Sequence, residues 1–426
     1  MKILIQQALI SDVQSPHHGS VKDILIVDGF IKDIENSTDI IKHSVEKNNI
    51  IRQNGLCVSP GWIDIFSHFC DPGFEFKETM ESGARAAAAG GFTDVLVIPN
   101  TQPVIDSKSQ VEYIRQKSKS LPVNIWPIGA ITKKGEGREL AEMYDMHNSG
   151  AVAFGDGLNP VQSSGVLLKA LQYIKSFAGV IIQIPDDKTV GADGLMNEGI
   201  ISTRLGLPGK PMMAEELIIA RDIKLARYAE SKIHFTGVTS PKSLEYIKRA
   251  KDSGVDVSCS VTPYHLFFSD EDMLNYDTNL KVYPPLRTKA DMRSLRKSVL
   301  DGTVDCIASH HLPHEYDSKV LEFENAKYGM TGLETSYAII KTILPELNEQ
   351  KITDLLSVNA RKIFGLDKPR LEAGQYCSVT LFNPASSWTL DETEIKSKSK
   401  NTPFIGKELK GKVVGIINGE KVILNN

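Results

Sequence analysis

Two short apolar runs, Gly61-Trp-Ile-Asp-Ile-Phe66 and Asp94-Val-Leu-Val-Ile-Pro99, enclose a segment of helical texture that includes Met80-Glu-Ser-Gly-Ala-Arg-Ala-Ala-Ala-Ala89. An apolar run, a helix-length segment and another apolar run form the pattern of a βα unit feeding a parallel sheet. The pattern continues downstream, with runs at Val123–Ile128, Ala151–Gly155, Val180–Ile184, Lys232–Thr236, Val255–Val261 and Asp305–Ser309. Helical periodicity fills the intervals: in Met213–Glu230, Ile219, Ile223 and Ala226 fall at i, i+4 and i+7 on one face. Eight such units predict an α/β fold closed as a (β/α)8 TIM-like barrel rather than an open doubly wound sheet. A buried helix segment has the same periodicity as one of the shorter runs, so that alternative stays open at this point.

Outside the barrel the texture changes. Near the amino end Asp28-Gly29 separates two apolar runs, a strong hairpin signal. Near the carboxyl end Cys377-Ser-Val-Thr-Leu-Phe382 reads as a strand, and Ile416-Ile-Asn-Gly-Glu-Lys-Val422 as a hairpin turning at Asn418-Gly419. Two β-rich ends flanking a different middle predict a small β-sandwich domain built from both termini, residues 1–56 and 371–426, around a barrel of residues 57–370.

The bulk chemistry narrows the function classes. Of 426 residues, 41% are hydrophobic and 24% charged, ordinary for a globular protein, and a barrel of about 250 residues leaves room for a second small domain. A net charge of −4 gives no electrostatic reason to expect nucleic acid or an anionic membrane as partner. Five scattered cysteines without a CxxC pair read as reduced thiols. With no signal-like amino terminus and no run of about 20 apolar residues, the expected location is the cytoplasm.

In barrels of this kind chemistry sits where strands end at their carboxyl side. The positions to inspect are therefore Phe66 to Asp71, Asn100-Thr101, Asp156-Gly157, Gln183, Gly237, Tyr264-His265 and His310-His311. These positions lie within stretches that, in this order, resemble the dihydroorotase branch of the amidohydrolase superfamily: residues 59–103, GAVAFGDGLNP (150–160), NEGIISTRLGLPGKPMMAEE (197–216), VTPYHL (261–266), LKVYPPLR (280–287), IASHHLPHE (307–315) and GMTGLET (329–335). The resemblance runs nearly the whole chain. It implies hydrolysis or closure of a cyclic amide by a zinc-activated water, the metal lowering the water's pKa to about 7.

Carried over residue by residue, the resemblance implies a depleted metal site. Of the paired His-x-His ligands after the first strand, the first falls on Phe66 and the second is kept as His68. The substrate-carboxylate arginine falls on Cys70, which offers no bidentate fork. Asn100 matches a substrate contact and Asp156 the bridging carboxylate. The next two metal histidines fall on Gln183, a poor zinc donor, and on Gly237. Another substrate asparagine falls on Tyr283, and the eighth-strand aspartate, ligand and general base, on His310. His265 joins Asn100, Cys70 and Tyr283 as a substrate-binding candidate. Binuclear zinc is not expected; the implied cofactor is either none or one zinc ion on His68, Asp156 and His310.

Plainer readings stand beside these. His311 and His314 sit on a turn, where they need not share a face as an i, i+4 helical pair does. Asp71 to Glu78 and Glu334 order loops through hydrogen bonds, as Asp64 does in the barrel, and Lys396-Ser-Lys-Ser-Lys400 is a solvated loop. Cys70 is a thiol, but no base is aimed at it in the sequence. Three functions follow. The leading expectation is a dihydroorotase-like protein of pyrimidine biosynthesis without dihydroorotase catalysis, a homo-oligomer serving as structural or regulatory partner of aspartate carbamoyltransferase. The second is a cyclic amidohydrolase with a rebuilt single-zinc site. The third is a barrel mouth lined by Phe66, Phe69, Tyr264 and Tyr283 that binds a planar ring without transforming it.

Overall fold

A computed structural model of the chain describes residues 1–36 and 45–425; residues 37–44 of the expected first segment lie outside the described residues. The chain opens with β1 (Lys2–Ile10), β2 (Val21–Val27), β3 (Phe30–Glu35), β4 (Ile50–Arg52) and β5 (Cys57–Pro60). The Asp28-Gly29 turn between β2 and β3 has positive φ at both residues, 49° and 80°, the backbone that matches a right-twisted two-residue hairpin. The β1–β2 register shifts between Ile5 and Ala8, where Gln7 has φ 52°. Before the shift β1 pairs with β4 and after it with β5, both parallel, so one bulged strand serves two partners.

The barrel follows as β6 (Trp62–Ser67), β7 (Phe92–Val97), β8 (Asn124–Gly129), β9 (Ala153–Phe154) and β10 (Val180–Gln183). A two-stranded parallel ribbon, β11 (Met196–Asn197) and β12 (Gly209–Lys210), precedes β13 (Lys232–Phe235), β14 (Val257–Val261) and β15 (Cys306–Ile307). Barrel strands pair in parallel in chain order from β6 to β15. A parallel bridge from Ser67 to His311, with the His68 N–H donating to the His311 carbonyl at 2.9 Å, brings the two ends of the sheet together. Each of the eight expected runs overlaps one of these strands. They read as unbroken apolar runs because a parallel sheet covered by helices is buried on both faces. The helix Met213–Ala229 buries Ile219, Ile223 and Ala226, as its periodicity predicts.

The chain ends with β16 (Ser378–Thr389), β17 (Glu408–Asn418) and β18 (Lys421–Leu424), and the terminal sheet runs β18-β17-β16-β5-β1-β2-β3 with β4 on β1. Ile24 and Ile31 from one end share an apolar cluster with Val379 and Ile417 from the other, so the sheet curls over itself as the expected small β domain. Two details differ from the sequence reading. β5 is hydrogen-bonded into the terminal sheet, past the division drawn at residue 56. The last hairpin turns at Gly419-Glu420, because Asn418 still pairs with Lys421.

Where barrel and sheet meet, the Trp62 ring contacts Phe92, Tyr337 and Phe382. Only glycine fits at position 61, where a Cβ would lie 2.2 Å from Thr93 Oγ1. At this floor the Arg361 guanidinium bonds Asp94 and, at 3.0 Å, the Gly61 carbonyl. Burial alone would raise the Asp94 carboxyl; Arg361, Trp126 and Asn124 hold it below the usual range. All five cysteines are free and buried. Among the described residues no helix is long and apolar enough to cross a membrane.

Candidate functional site

The β6 strand and the segment directly after it deliver Phe66, His68 and Cys70 to the mouth, and all three are buried. His68 Nε2 lies 3.1 Å from the Asn100 carbonyl, which can only accept, so Nε2 carries the hydrogen and Nδ1 is the acceptor for the Cys70 thiol at 3.4 Å. Burial, with Lys77 next, pushes the His68 pKa down to about 3, which keeps the ring neutral. Burial, then Glu78, raises the Cys70 thiol well above the usual range, so no thiolate is available for nucleophilic attack.

On the barrel axis a chain of neutral groups runs across three neighbouring strands, β13, β14 and β15. Ser258 Oγ lies 2.8 Å from His234 Nδ1, and His234 Nε2 lies 3.0 Å from Ser260 Oγ. Ser260 donates to Thr236 Oγ1 at 2.9 Å, and Thr236 Oγ1 lies 2.8 Å from His310 Nε2. One direction satisfies every member: Ser258 donates to His234, and donation then passes from His234 to Ser260, Thr236 and finally His310 Nε2. The Phe66 ring packs on His310 at 4.5 Å between centroids and 31° between planes. His310 has φ 45°, and Gly237 opposite it has φ 70° with its pro-Cβ position 2.6 Å from His310 Cε1. The imidazole occupies the space that a side chain at position 237 would need. Burial pushes His234 and His310 down to about 3.

The remaining candidates face protein. Asp156 accepts from the Thr132 N–H at 3.0 Å and hydroxyl at 2.5 Å; burial, offset by these bonds, raises its carboxyl to about 6. Asn100 accepts from Leu158 N–H at 2.9 Å and donates to the Asp156 carbonyl at 3.2 Å. Gln183 accepts from Val161 N–H at 3.0 Å and donates to Asp222 on the helix Met213–Ala229. His265 spans Thr262 at 2.7 Å and the Pro284 carbonyl at 2.9 Å, pinning the loop after β14. His311 Nε2 lies 3.5 Å from Glu78, and His314 Nε2 bonds the Tyr328 carbonyl at 2.9 Å.

Catalytic zinc takes about three protein donors aimed at one point, with a fourth position open. Among the described residues no group of three or more His, Cys, Asp and Glu side chains is so placed. The expected single site is not assembled here: Asp156 is turned to Thr132, His68 has both ring nitrogens engaged, and His310 lies between Phe66 and Thr236. The residues present, so engaged, do not fit a zinc ion. The expected ring-binding wall also changes, since Phe66, Phe69 and Tyr264 are 2–3% exposed and pack inward. The Lys396–Lys400 run is not a simple solvated loop. Lys396 and Lys398 are exposed while Ser397 and Ser399 are buried, Lys400 is half-buried with its ammonium on the Ile395 carbonyl, and Glu334 and Glu78 accept the run's backbone N–H groups.

Of the substrate-contact positions, Tyr283 lines a cavity at the mouth. Its hydroxyl donates to Asp186 at 2.7 Å, and Lys210 meets the other Asp186 oxygen at 2.9 Å. Lys188 and Tyr328 complete this rim. Sequence reading missed Asp186, Lys188, Lys210 and Tyr328; they come from the loop after β10, from β12 and from the loop after β15, and no local spacing marks them as neighbours.

The barrel with a β domain from both termini is the fold of the cyclic amidohydrolases. An L-hydantoinase (dihydropyrimidinase) from Arthrobacter aurescens superposes with a TM-score of 0.86 at 23% identity, covering 99% of this chain and 96% of that one. Dihydropyrimidinase from Brevibacillus agri gives 0.84 at 18% identity, covering 100% and 95%. A Dihydro-orotase-like family model matches residues 55–243. A dihydroorotase of Geobacter metallireducens is 40% identical over 428 residues, 99% of each chain, and one of Pelotomaculum thermopropionicum 39% identical over 100% of this chain and 99% of its own. The chain belongs to the dihydroorotase-like family.

Proposed function

We propose that this chain is a member of the family that works in pyrimidine biosynthesis without dihydroorotase catalysis, as a structural or regulatory partner of aspartate carbamoyltransferase in the cytoplasm. The observation that carries the reading is the packed axis. Where hydrolysis needs a metal-held hydroxide, Phe66 stacks on His310, and His310 is hydrogen-bonded to Thr236. A water-excluded phenyl–imidazole contact supplies neither a nucleophile nor a Lewis acid. The partner role draws on the family resemblance: a retained barrel with rebuilt interior chemistry fits selection for shape and surface.

The test has three readouts on the purified protein: bound zinc, turnover of dihydroorotate, and capture of the transferase co-expressed with it. The expected result is sub-stoichiometric metal, no turnover above background, and a complex that changes the transferase's activity or assembly. Stoichiometric zinc that resists dialysis and disappears in His68→Ala would replace this reading with the single-zinc amidohydrolase. Absence of any complex would sink the partner role.

A further inference from the structure

A cavity of about 450 Å³ opens at the floor of the barrel, the end opposite the mouth. One wall is made where β13 and β14 begin, and carries Lys232, Asp256 and Ser258. The other is the helical stretch Glu349–Thr353 and Asn359–Phe364, which carries Lys351 and Lys362. Between those two helices Asp354–Val358 winds as a π turn and supplies Asp354 and Leu355 to the lining. A π turn inserted in a helix costs regular hydrogen bonding and recurs where a helix shapes a functional site.

Ser258 is also the outer end of the axial chain. It is half-buried, and its one hydrogen goes to His234 Nδ1 at 2.8 Å, so toward the cavity its oxygen can only accept. The charges of the lining do not cancel. Asp305 is matched by Lys251 at 2.6 Å and also accepts the Cys259 N–H at 2.7 Å. Asp354 accepts from the Gln350 amide at 2.8 Å, and Asp256 has no side-chain partner among the described residues. Lys232, Lys351 and Lys362 are exposed, and none has an ion pair or a side-chain hydrogen bond among the described residues. Even with Asp256 and Asp354 both charged, three free ammonium groups leave a surplus of positive charge. The strand wall thus offers acceptors, Ser258 and Asp256, and the helix wall offers cations, with Leu300, Leu347 and Leu355 as apolar surface. Such a lining selects a short molecule with hydrogen-bond donors at one end and an anion at the other. A zwitterion would leave the surplus uncovered, whereas a phosphoryl group covers it and suits ammonium groups arriving from several directions.

We propose that this floor cavity binds a small hydroxylated phosphate monoester, a hydroxyl donating to Ser258 Oγ and the phosphoryl group meeting Lys351 and Lys362. The inference does not rest on the partner role above, and its test needs no transferase. Glycerol 3-phosphate, inorganic phosphate and glycerol serve as probes: both ends, the anion alone, the hydroxyls alone. Titration calorimetry on the full chain is expected to show glycerol 3-phosphate binding about fivefold tighter than inorganic phosphate, the share of one neutral hydrogen bond, and glycerol giving no signal. Joint replacement Lys351→Met and Lys362→Met, both exposed, should weaken glycerol 3-phosphate at least about tenfold and leave the thermal midpoint of the free protein in place. Ser258→Ala should bring glycerol 3-phosphate down to the affinity of inorganic phosphate and leave inorganic phosphate unchanged. Because that variant also takes a donor from His234, the probe ranking and the lysine pair decide the matter if it does not fold. Equal affinity for glycerol 3-phosphate and inorganic phosphate, no binding of glycerol 3-phosphate, or wild-type affinity in the lysine double variant would each overturn the proposal.

Discussion

The floor of the barrel and its axial mouth are both buried and both polar, yet different chemistry holds them. At the floor a full charge pair, Asp94 with Arg361, ties β7 to the helix Asn359–Phe364 and to the Gly61 carbonyl. At the mouth, His234, Ser260, Thr236 and His310 form a chain of neutral donors and acceptors closed by the Phe66 ring. A buried ion pair fails when either partner is removed, but its charges do not change near neutral pH. A neutral imidazole chain holds wherever the rings stay unprotonated, and it is exposed to acid. The same barrel therefore has a lock at one end that is sensitive to mutation and a plug at the other that is sensitive to pH.

Acid should produce the largest effect. His68, His234, His265 and His310 are pushed by burial down to about 3, and His314 to about 4. In the unfolded chain they take up protons near pH 6.5, so below that value the unfolded state binds more protons and stability falls as pH falls. Asp156 and Asp222, raised by burial to about 6, act oppositely, since the folded state protonates them first. Burial also raises Asp64, Asp270, Glu334 and Asp354, so the stability lost below about pH 6.5 is smaller than the five histidines alone would give. Urea midpoints at pH 7.5, 6.0 and 5.0 measure it; a flat profile would mean that the histidines are not buried neutral. At the floor, Arg361→Met should cost about 3–5 kcal/mol by leaving the Asp94 carboxylate buried without its partner. Without Arg361 to hold it down, burial raises the Asp94 carboxyl, so the penalty should shrink as pH falls toward the ordinary carboxylate range. A loss under about 1 kcal/mol at pH 7.5 would show the floor to be wetter than drawn.

How much of this was legible beforehand differs along the same axis. The eight barrel strands could be read because each is a local apolar run, and the Asp28-Gly29 hairpin because its turn needs positive φ at two residues. The split of β1 between β4 and β5 was not legible: a bulge at Gln7 is set by which strands arrive beside it. Positions such as Phe66, Gln183 and Gly237 could be singled out by motif, but what each now touches could not. Gln183 turns to Asp222 and His310 to Thr236, contacts 39 and 74 residues apart in sequence. The rim lysines were invisible for the same reason, since a lone lysine has no pattern until distant segments meet.

The smallest effect is the one that separates packing from strain at the plug. Gly237→Ala meets two penalties: φ 70° is unfavourable for a residue with a Cβ, and that Cβ would lie 2.6 Å from His310 Cε1. The first penalty, about 1 kcal/mol, is a property of the backbone and does not depend on the neighbour. The second depends on the imidazole, which cannot retreat freely because Phe66 lies against one face and Thr236 holds Nε2. The substitution should therefore cost about 2–3 kcal/mol in the wild-type chain and about 1 kcal/mol when His310→Ala has emptied the space. The coupling of 1–2 kcal/mol, read from a double-mutant cycle in urea, is the contact alone. Zero coupling would mean that the ring moves aside at no cost, and a plug that loose would leave room on the barrel axis for the metal it is drawn as excluding.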